Sequence, residues 1–255
     1  MAQQTVAGPK GQLAYIHHAG SSPGVLFCTG FNSDMGGTKA LVLDDWCRQQ
    51  GRQFTRFDYS GHGLSAGRFE DGGIDQWLRD ALVILDEVCD GPQVLVGSSM
   101  GGWMMLLIAL ARPERVVGLL GIASAPDFTR AMRERRLSSA QLKSLAETGF
   151  CEIENHYDDG QPYRIGRQLL EEGEQHLLLG AEIGIDAPVR LIHGQADADV
   201  PWQLSLQVAE LLRSVDVELQ LVKHGDHRLS TPADLARLLR TLENLLDQLS
   251  RGAAT

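Results

Sequence analysis

The chain has 255 residues, of which 43% are hydrophobic and 22% are charged, and this balance is typical of a globular protein with a substantial core. Its formal net charge of −10 argues against nucleic acids and anionic membrane surfaces as the main partners. The amino-terminal residues show no apolar targeting core, and no run approaches the ~18 apolar residues of a membrane span. We therefore expect a cytoplasmic protein without a membrane span.

Short runs typical of β-strands alternate with helical patterns along most of the chain. The strand candidates are residues 13–18, 25–29, 54–58, 94–97, 116–123, 189–193 and 217–222. Most are apolar on both faces, as is typical of parallel strands that helices cover on two sides. Helical spacing of apolar residues appears in residues 75–89 and in the leucine-rich carboxyl-terminal segment, which begins at the capping residue Thr231. The alternation predicts an α/β fold with a mostly parallel central sheet and helices on both faces.

The alternation stops once, in residues 127–186. This segment contains a polar helix with four arginines, a hairpin signal at Asp159-Gly160 and a second helix that ends at residues 177–179. An insertion between two strands of one sheet accounts for this pattern better than a second domain does. We expect one domain over residues 1–255, with a small helical and hairpin lid at 127–186.

Two adjacent serines, Ser98 and Ser99, follow one of the apolar strands and precede an apolar helix. A nucleophile on a sharp strand-to-helix turn needs small residues two positions before and two positions after it, which is the G-x-S-x-G pattern. Gly97 and Gly101 flank Ser99 in this way, whereas two bulky side chains would flank Ser98. Ser99 is therefore the nucleophile candidate, and a structural serine in a glycine-rich turn is the alternative.

A serine hydroxyl is a poor nucleophile until a base takes its proton, so a histidine should follow the last strand. His224 and His227 lie in that region. His224 is close to the end of the strand, whereas His227 follows the Gly225-Asp226 turn and can reach over the edge of the sheet. We therefore predict that His227 is the base.

The imidazole in turn needs a carboxylate that fixes its tautomer. Asp197 and Asp199 follow the penultimate strand, and Asp197 lies just beyond the strand end. Asp199 precedes Val200-Pro201 and is expected to cap the next helix. His193, at the end of the strand, is interpreted as a structural hydrogen-bonding residue, and Asp197 is the predicted triad acid.

An oxyanion hole would complete the site with two backbone N–H groups. One donor should be the residue after the nucleophile, Met100. The other should come from the loop after an earlier central strand, where Gly30 permits close approach and Phe31 would supply the N–H group. This placement rests on the predicted topology.

Longer runs of sequence resemble a known family. The segment "FDYSGHGLS" at residues 57–65 resembles the D-x-x-G-x-G-x-S loop of the α/β-hydrolase superfamily. The chain is more narrowly similar to the family of the mitochondrial palmitoyl-protein thioesterase that also cleaves acyl glucuronides. The segments that carry this similarity include "DGPQVLVGSSMGGWMML" at 90–106, "ARPERVVGLLGIA" at 111–123, "DVPWQLSLQVAELL" at 199–212 and "HGDHRLS" at 224–230.

The resemblance implies the α/β-hydrolase fold and a triad of Ser99, Asp197 and His227. It implies a serine acyl hydrolase that cleaves thioesters or carboxylic esters through an acyl-enzyme, with no metal and no organic cofactor. The substrate would be a small molecule or an acylated protein, and the enzyme a monomer or homodimer. The alternatives are a short-chain carboxylesterase, a carbon–carbon bond hydrolase and a peptidase of the same fold.

Three residues are candidates for substrate binding. Arg133 and Arg136 belong to the basic helix of the expected lid, where they would receive an anionic leaving group such as a glucuronate or a coenzyme A phosphate. A solvated helix face that pairs with Glu134 is the alternative. Trp103, behind the nucleophile, would line the acyl pocket or pack in the core.

Overall fold

The computed structural model describes residues 3–155 and 162–252. Its strands are β1 (Gln4–Gly8), β2 (Gly11–His18), β3 (Ser21–Cys28), β4 (Arg52–Phe57), β5 (Gln93–Ser98), β6 (Val116–Ile122), β7 (Phe150–Ile153), β8 (Tyr163–Gly166), β9 (Val189–Gly194) and β10 (Val217–Val222). Within these residues, the main sheet has eight strands in the order β1-β2-β4-β3-β5-β6-β9-β10. Only the β1–β2 and β2–β4 pairings are antiparallel, so the sheet is mostly parallel, as predicted.

Every predicted strand is present in this sheet. The strand that the sequence did not predict is β1, whose residues are exposed or half-buried. It therefore lacks the apolar runs by which buried strands are found.

Helices cover both faces of the sheet. They are α1 (Thr38–Gln49), α2 (Ile74–Glu87), α3 (Met100–Ala111), α4 (Phe128–Ala131), α5 (Ser139–Thr148), α6 (Arg167–Gln175), α7 (Gln203–Leu211) and α8 (Pro232–Gly252). The apolar side chains of α1 and α8 pack on one face, and those of α2 and α3 pack on the other. As predicted, Thr231 caps α8, and its hydroxyl accepts a hydrogen bond from the Asp234 backbone N–H at 3.3 Å.

Residues 127–186 lie between β6 and β9. The described part of this segment forms α4, a π-helical turn (Met132–Arg136), α5, the antiparallel pair β7–β8 and α6. The basic residues predicted to lie on one helix are therefore divided between α4 and the π-helical turn. The predicted hairpin signal at Asp159-Gly160 falls outside the described residues.

The predicted helix end at 177–179 is wrong, because α6 stops at Gln175. The backbone N–H groups of Leu178 and Leu179 instead donate to the two carboxylate oxygens of Asp127 at 2.9 and 3.0 Å. Since these N–H groups bond to a side chain, the chain leaves the helix at this point. Among the described helices, none is long and apolar enough to cross a membrane.

Candidate active site

Ser99 occupies the sharp turn between β5 and α3, with φ 55° and ψ −119°. This conformation costs a non-glycine residue about 1–3 kcal/mol and needs support from its surroundings. Its backbone N–H donates to Ile122 at 2.9 Å, and its carbonyl accepts from Ala125 at 3.0 Å. A side chain at Gly97 or at Gly101 would overlap backbone atoms. The glycine spacing that singles out Ser99 is therefore a steric requirement of this turn.

Ser99, His227 and Asp197 form one continuous line of hydrogen bonds. The Ser99 Oγ atom lies 3.0 Å from His227 Nε2. On the other side of the ring, His227 Nδ1 lies 2.8 Å from Asp197 Oδ2. With Nδ1–H donating to the carboxylate, Nε2 is left as the acceptor for the serine hydroxyl. The structure thus brings together the three residues that the sequence proposed as a triad.

The side chain of Asp197 is shielded from solvent, although the residue as a whole is half-buried, and both of its carboxylate oxygens accept hydrogen bonds. Oδ1 accepts from the backbone N–H groups of Asp199 and Val200, each at 2.8 Å. Oδ2 accepts from His227 and from His193, the latter at 3.1 Å. Burial opposes ionisation, but the hydrogen bonds from His193 and His227, together with the charge of His227, hold the pKa of Asp197 well below its usual range. Asp197 is therefore a fixed negative charge beneath His227.

Asp199 was expected to cap the helix after it. Its backbone N–H group instead closes a turn on Asp197, and α7 begins only at Gln203 without a side-chain cap.

The two predicted oxyanion-hole residues flank Ser99. Met100 is the first residue of α3, so its N–H group has no partner within the helix. Gly30 places the β3–α1 loop beside the nucleophile, because a Cβ added there would lie 3.5 Å from the Cβ of Ser99. Phe31 follows Gly30 and lines the same cavity as Ser99.

The Phe31 ring is held by aromatic side chains from several elements. Its centroid lies 4.9 Å from that of Phe69, 5.3 Å from Phe128, 5.8 Å from Tyr163 and 6.0 Å from Trp77. Phe128 and Tyr163 belong to residues 127–186, whereas the other two rings precede β5. The loop that carries the predicted oxyanion donor is therefore anchored both by residues 127–186 and by the part of the chain before β5.

Asp58 supports this loop, a role that the sequence analysis did not assign. It is buried and accepts the backbone N–H of Met35 at 2.7 Å and that of Leu64 at 2.9 Å. Burial raises the pKa of Asp58 even though these two bonds oppose the change. The residue joins the β3–α1 loop to the loop at 57–65. Its position as the first aspartate of the D-x-x-G-x-G-x-S pattern was the available signal.

Lys39, at the start of α1, is a second residue that the sequence analysis missed. It lines the cavity and donates from Nζ to the Arg228 carbonyl, next to His227. Burial lowers the pKa of Lys39 to about 8. This contact ties the histidine loop to α1, and no motif marks it in the sequence.

A cavity of about 470 Å³ opens above Ser99 and His227. Aromatic and aliphatic side chains form much of its wall, with polar groups nearer the loops. Its lining includes Phe31, Phe128, Met132, Tyr163, Leu204, Lys39, Arg136 and Asp199. Its size falls within the ~300–1,000 Å³ of small-molecule sites.

The predicted substrate-binding residues divide between the cavity and its surroundings. Arg136 lines the cavity and donates to the Asp199 carbonyl. Trp103 does not line it, because its side chain is fully buried behind Phe128, with Nε1 donating to the His176 carbonyl at 3.2 Å. Arg133 is also outside the lining. Trp103 therefore packs in the core, which was the alternative to a place in the substrate pocket. The substrate-binding placement of Trp103 is corrected, and so is that of Arg133, which lies away from the cavity wall.

The described residues contain one acidic and histidine cluster with spacing suited to a cation. Ligand atoms of Asp197, Asp199 and His227 lie within 4.8 Å of one another. Since His227 already bonds Asp197 and Ser99, we describe this cluster as part of the hydrogen-bonded site and assign no metal to it.

Two family models match the sequence. One, described as serine aminopeptidase, S33, matches residues 21–150, and the other, the prolyl oligopeptidase family, matches residues 86–252. The chain is also similar to "Palmitoyl-protein thioesterase ABHD10, mitochondrial" from Homo sapiens, with 42% identity over 238 residues that cover 93% of this chain and 78% of the relative. The protein of the same name from Mus musculus is 43% identical over 238 residues, which cover 93% of this chain and 80% of the relative.

Two solved structures share this fold over nearly their whole length. The α/β hydrolase domain-containing protein 10 from mouse superposes with a TM-score of 0.89 and 40% identity, covering 98% of this chain and all (100%) of that one. A putative hydrolase from Agrobacterium vitis S4 gives a TM-score of 0.90 and 37% identity, with coverage of 96% and 98%. The predicted α/β-hydrolase fold is thereby confirmed.

The comparisons contradict the predicted location. The curated thioesterase relatives are named as mitochondrial proteins. The expectation of a cytoplasmic protein, which rested on composition and on the first residues of the sequence, is therefore wrong.

Proposed function

Because the chain belongs to the palmitoyl-protein thioesterase family of α/β hydrolases, we propose that it hydrolyses thioesters and carboxylic esters with Ser99 as the nucleophile. In this proposal His227 is the general base and acid, and Asp197 orients the ring. The observation that carries the proposal is the hydrogen-bonded line from Ser99 Oγ through both nitrogens of His227 to Asp197 Oδ2. A structural serine would not need a partnered imidazole at 3.0 Å.

The chemistry follows from this geometry. Ser99 Oγ attacks the carbonyl carbon while its proton passes to His227 Nε2, and Asp197 stabilises the resulting imidazolium. The electron pair displaced onto the carbonyl oxygen is stabilised by the N–H groups of Phe31 and Met100. When the tetrahedral intermediate collapses, the carbon–sulfur or carbon–oxygen bond breaks and the leaving group takes the proton from His227. Water, activated by the same ring, then releases the acid and restores Ser99.

The shape of the cavity supports an acyl substrate. Its aromatic wall of Phe31, Phe128 and Tyr163 can remove an apolar acyl chain from water, at roughly 25 cal/mol per Å² of buried surface. Arg136 places a cation on the same cavity, where it can accept an anionic leaving group.

We also propose that residues 127–186 act as the lid of this site, within a single domain. Phe128, Met132, Arg136 and Tyr163 all come from this segment and line the cavity. The segment is secured to α2, because Glu172 accepts the backbone N–H groups of Asp75 at 3.0 Å and of Gln76 at 3.2 Å.

Peptide hydrolysis is the second candidate, favoured by the peptidase descriptions of the two matching family models. The same residues would act on an amide, so the geometry of the triad does not separate the two activities. The choice depends on the leaving group. A thiolate departs with little help, whereas an amine must be protonated as it leaves.

The test measures kcat/KM on octanoyl and palmitoyl thioesters, on the matching oxygen esters and on an acyl anilide. We expect Ser99→Ala to lose about 10³-fold or more on every substrate that the wild type cleaves. Ser98→Ala is the matched control and should retain activity within a few-fold. Retention of activity by Ser99→Ala would refute the proposed nucleophile, and a preference for the anilide over the thioesters would favour the peptidase.

A further inference from the structure

His193 lies beneath the proposed triad and shares its carboxylate. The side chain is fully buried at the end of β9, and Nε2 lies 3.1 Å from Asp197 Oδ2, the same oxygen that accepts from His227. It is not among the residues that line the cavity in the described part of the chain. His193 therefore does not itself contact a molecule bound in the cavity, and its effect on catalysis would pass through the residues it bonds, Asp197 and Val200.

The neighbours of His193 define which of its nitrogens carries the proton. Nε2 lies 3.1 Å from Asp197 Oδ2 and 3.1 Å from the Val200 carbonyl. Both atoms accept hydrogen bonds, so Nε2 must carry the hydrogen. Nδ1 is then an acceptor, and the buried Ser205 hydroxyl, 2.7 Å away on α7, donates to it. In its neutral form the imidazole is thus held in one tautomer between Ser205 and the carboxylate.

We propose that His193, fixed by Ser205, is a positioning residue that holds Asp197 Oδ2 and moderates the attraction of the carboxylate for His227. The inference rests on the proposed function, since it assigns a role within the same triad. With His193 present, the Asp197 carboxylate accepts four hydrogen bonds, two at each oxygen, and these bonds fix the orientation of its plane. Without it, Oδ2 would bond to His227 alone.

Two measurable consequences follow from the loss of His193. A carboxylate that is held less firmly orients His227 less well, so kcat should fall. A carboxylate that receives one donor fewer also stabilises the protonated form of His227 more strongly. His227 must be neutral to act as the base, so the acid limb of the kcat/KM profile should move to higher pH.

The other charged groups around the pair are unchanged in the variants below. They lie on the loops beside Asp197 and His227, on α1 and on the π-helical turn, and they are Asp199, Asp226, Arg228, Lys39 and Arg136. Each contributes equally to the wild type and to every variant. A difference between variants therefore reports on His193.

The experiment compares His193→Leu, His193→Gln and Ser205→Ala with the wild type on one thioester across pH. His193→Leu removes the donor, and we expect kcat to fall about 10–100-fold, the range seen when hydrogen-bond partners of metal ligands are removed, with KM within about twofold. His193→Gln keeps an N–H group near the position of Nε2 and should restore most of kcat and the wild-type acid limb. Ser205→Ala releases Nδ1 and should give a smaller change of the same sign.

Thr241→Val is the structural control, since Thr241 is also buried and accepts a hydrogen bond from Gln220 at 3.0 Å, and neither residue is among those that line the cavity in the described part of the chain. It should lower the melting temperature without moving the acid limb. If His193→Leu or Ser205→Ala behaved in the same way, the positioning role would be refuted. Ser99→Ala is measured in parallel: if that variant stays active, the proposed function itself has failed. If Ser99→Ala is inactive while the His193 variants keep the wild-type kcat and pH profile, only this inference fails.

Discussion

His62 gives the fold a specific sensitivity to acid. It is 3% exposed, and its ring centroid lies 5.0 Å from those of Phe69 and Trp77 and 5.7 Å from that of Tyr59. Nδ1–H donates to the Ser60 carbonyl at 3.3 Å, and Nε2 has no partner among the described residues. Burial among these rings lowers the pKa of His62 to about 4, which outweighs the opposing hydrogen bond to Ser60.

The size of the loss of stability in acid follows from the difference between the pKa of His62 in the unfolded chain and in the folded protein. The unfolded chain takes up a proton at His62 near the ordinary pKa of 6.5, whereas the folded protein does so only near 4. Between these values the unfolded state binds more protons, so the free energy of unfolding decreases as the pH falls. At about 1.4 kcal/mol per pH unit, His62 should account for a loss of about 3 kcal/mol between pH 6.5 and pH 4.

The assay is urea unfolding of the wild type and His62→Phe at about pH 7 and about pH 4.5. Phenylalanine keeps a ring in the cluster and cannot take up a proton, so the variant should lose about 2–3 kcal/mol less than the wild type over this range. Burial also lowers the pKa values of half-buried His17 and buried His18, but both residues titrate in the two proteins and cancel in the difference. His224→Gln, at an exposed position, is the control and should follow the wild type. Equal losses in the wild type and His62→Phe would refute the reasoning.

Three further outcomes are expected. Gly101→Ala should abolish activity and destabilise the fold, because the added Cβ overlaps the backbone of Cys28; thermal unfolding and hydrolysis of a thioester measure both effects. Asp197→Asn should lower kcat on a thioester by about 10⁴-fold, because an amide cannot accept hydrogen bonds on both sides and leaves His227 in the wrong tautomer. Tyr163→Ala should lower kcat/KM on octanoyl substrates by up to about tenfold through loss of the contact with Phe31, at 5.8 Å, whereas Tyr163→Phe should retain activity.

The central sheet and the positions of the triad candidates could be predicted because both follow from the order of elements along the chain. Buried parallel strands are apolar on both faces, so they are visible as short runs. Ser99, Asp197 and His227 follow β5, β9 and β10, and the carboxyl ends of parallel strands lie at one edge of the sheet. The order of the strands and the positions of three residues after them were therefore enough to predict that Ser99, Asp197 and His227 lie close together.

Contacts that depend on side-chain packing were not predictable in this way. The large apolar side chain of Trp103 was compatible with either an acyl pocket or the core. In the fold, α3 directs it into the core, where Nε1 donates to the His176 carbonyl. The end of α6 was misplaced because the carboxylate that stops it, Asp127, lies some 50 residues earlier in the chain. The sequence indicated that His193 makes a hydrogen bond at the strand end, but not that its partners are Asp197 and the Ser205 hydroxyl, because Ser205 comes from a different element.

The position of Phe31 shows why the proposed lid is not a passive cover. Its backbone is the predicted oxyanion donor, while its ring is packed against Phe128 and Tyr163 of residues 127–186 and against Phe69 and Trp77 of the preceding elements. A substitution in the segment that reshapes the cavity therefore also bears on the loop that is proposed to stabilise the transition state. Substrate preference and catalytic rate should change together when the segment is varied, because both depend on the packing around this one ring.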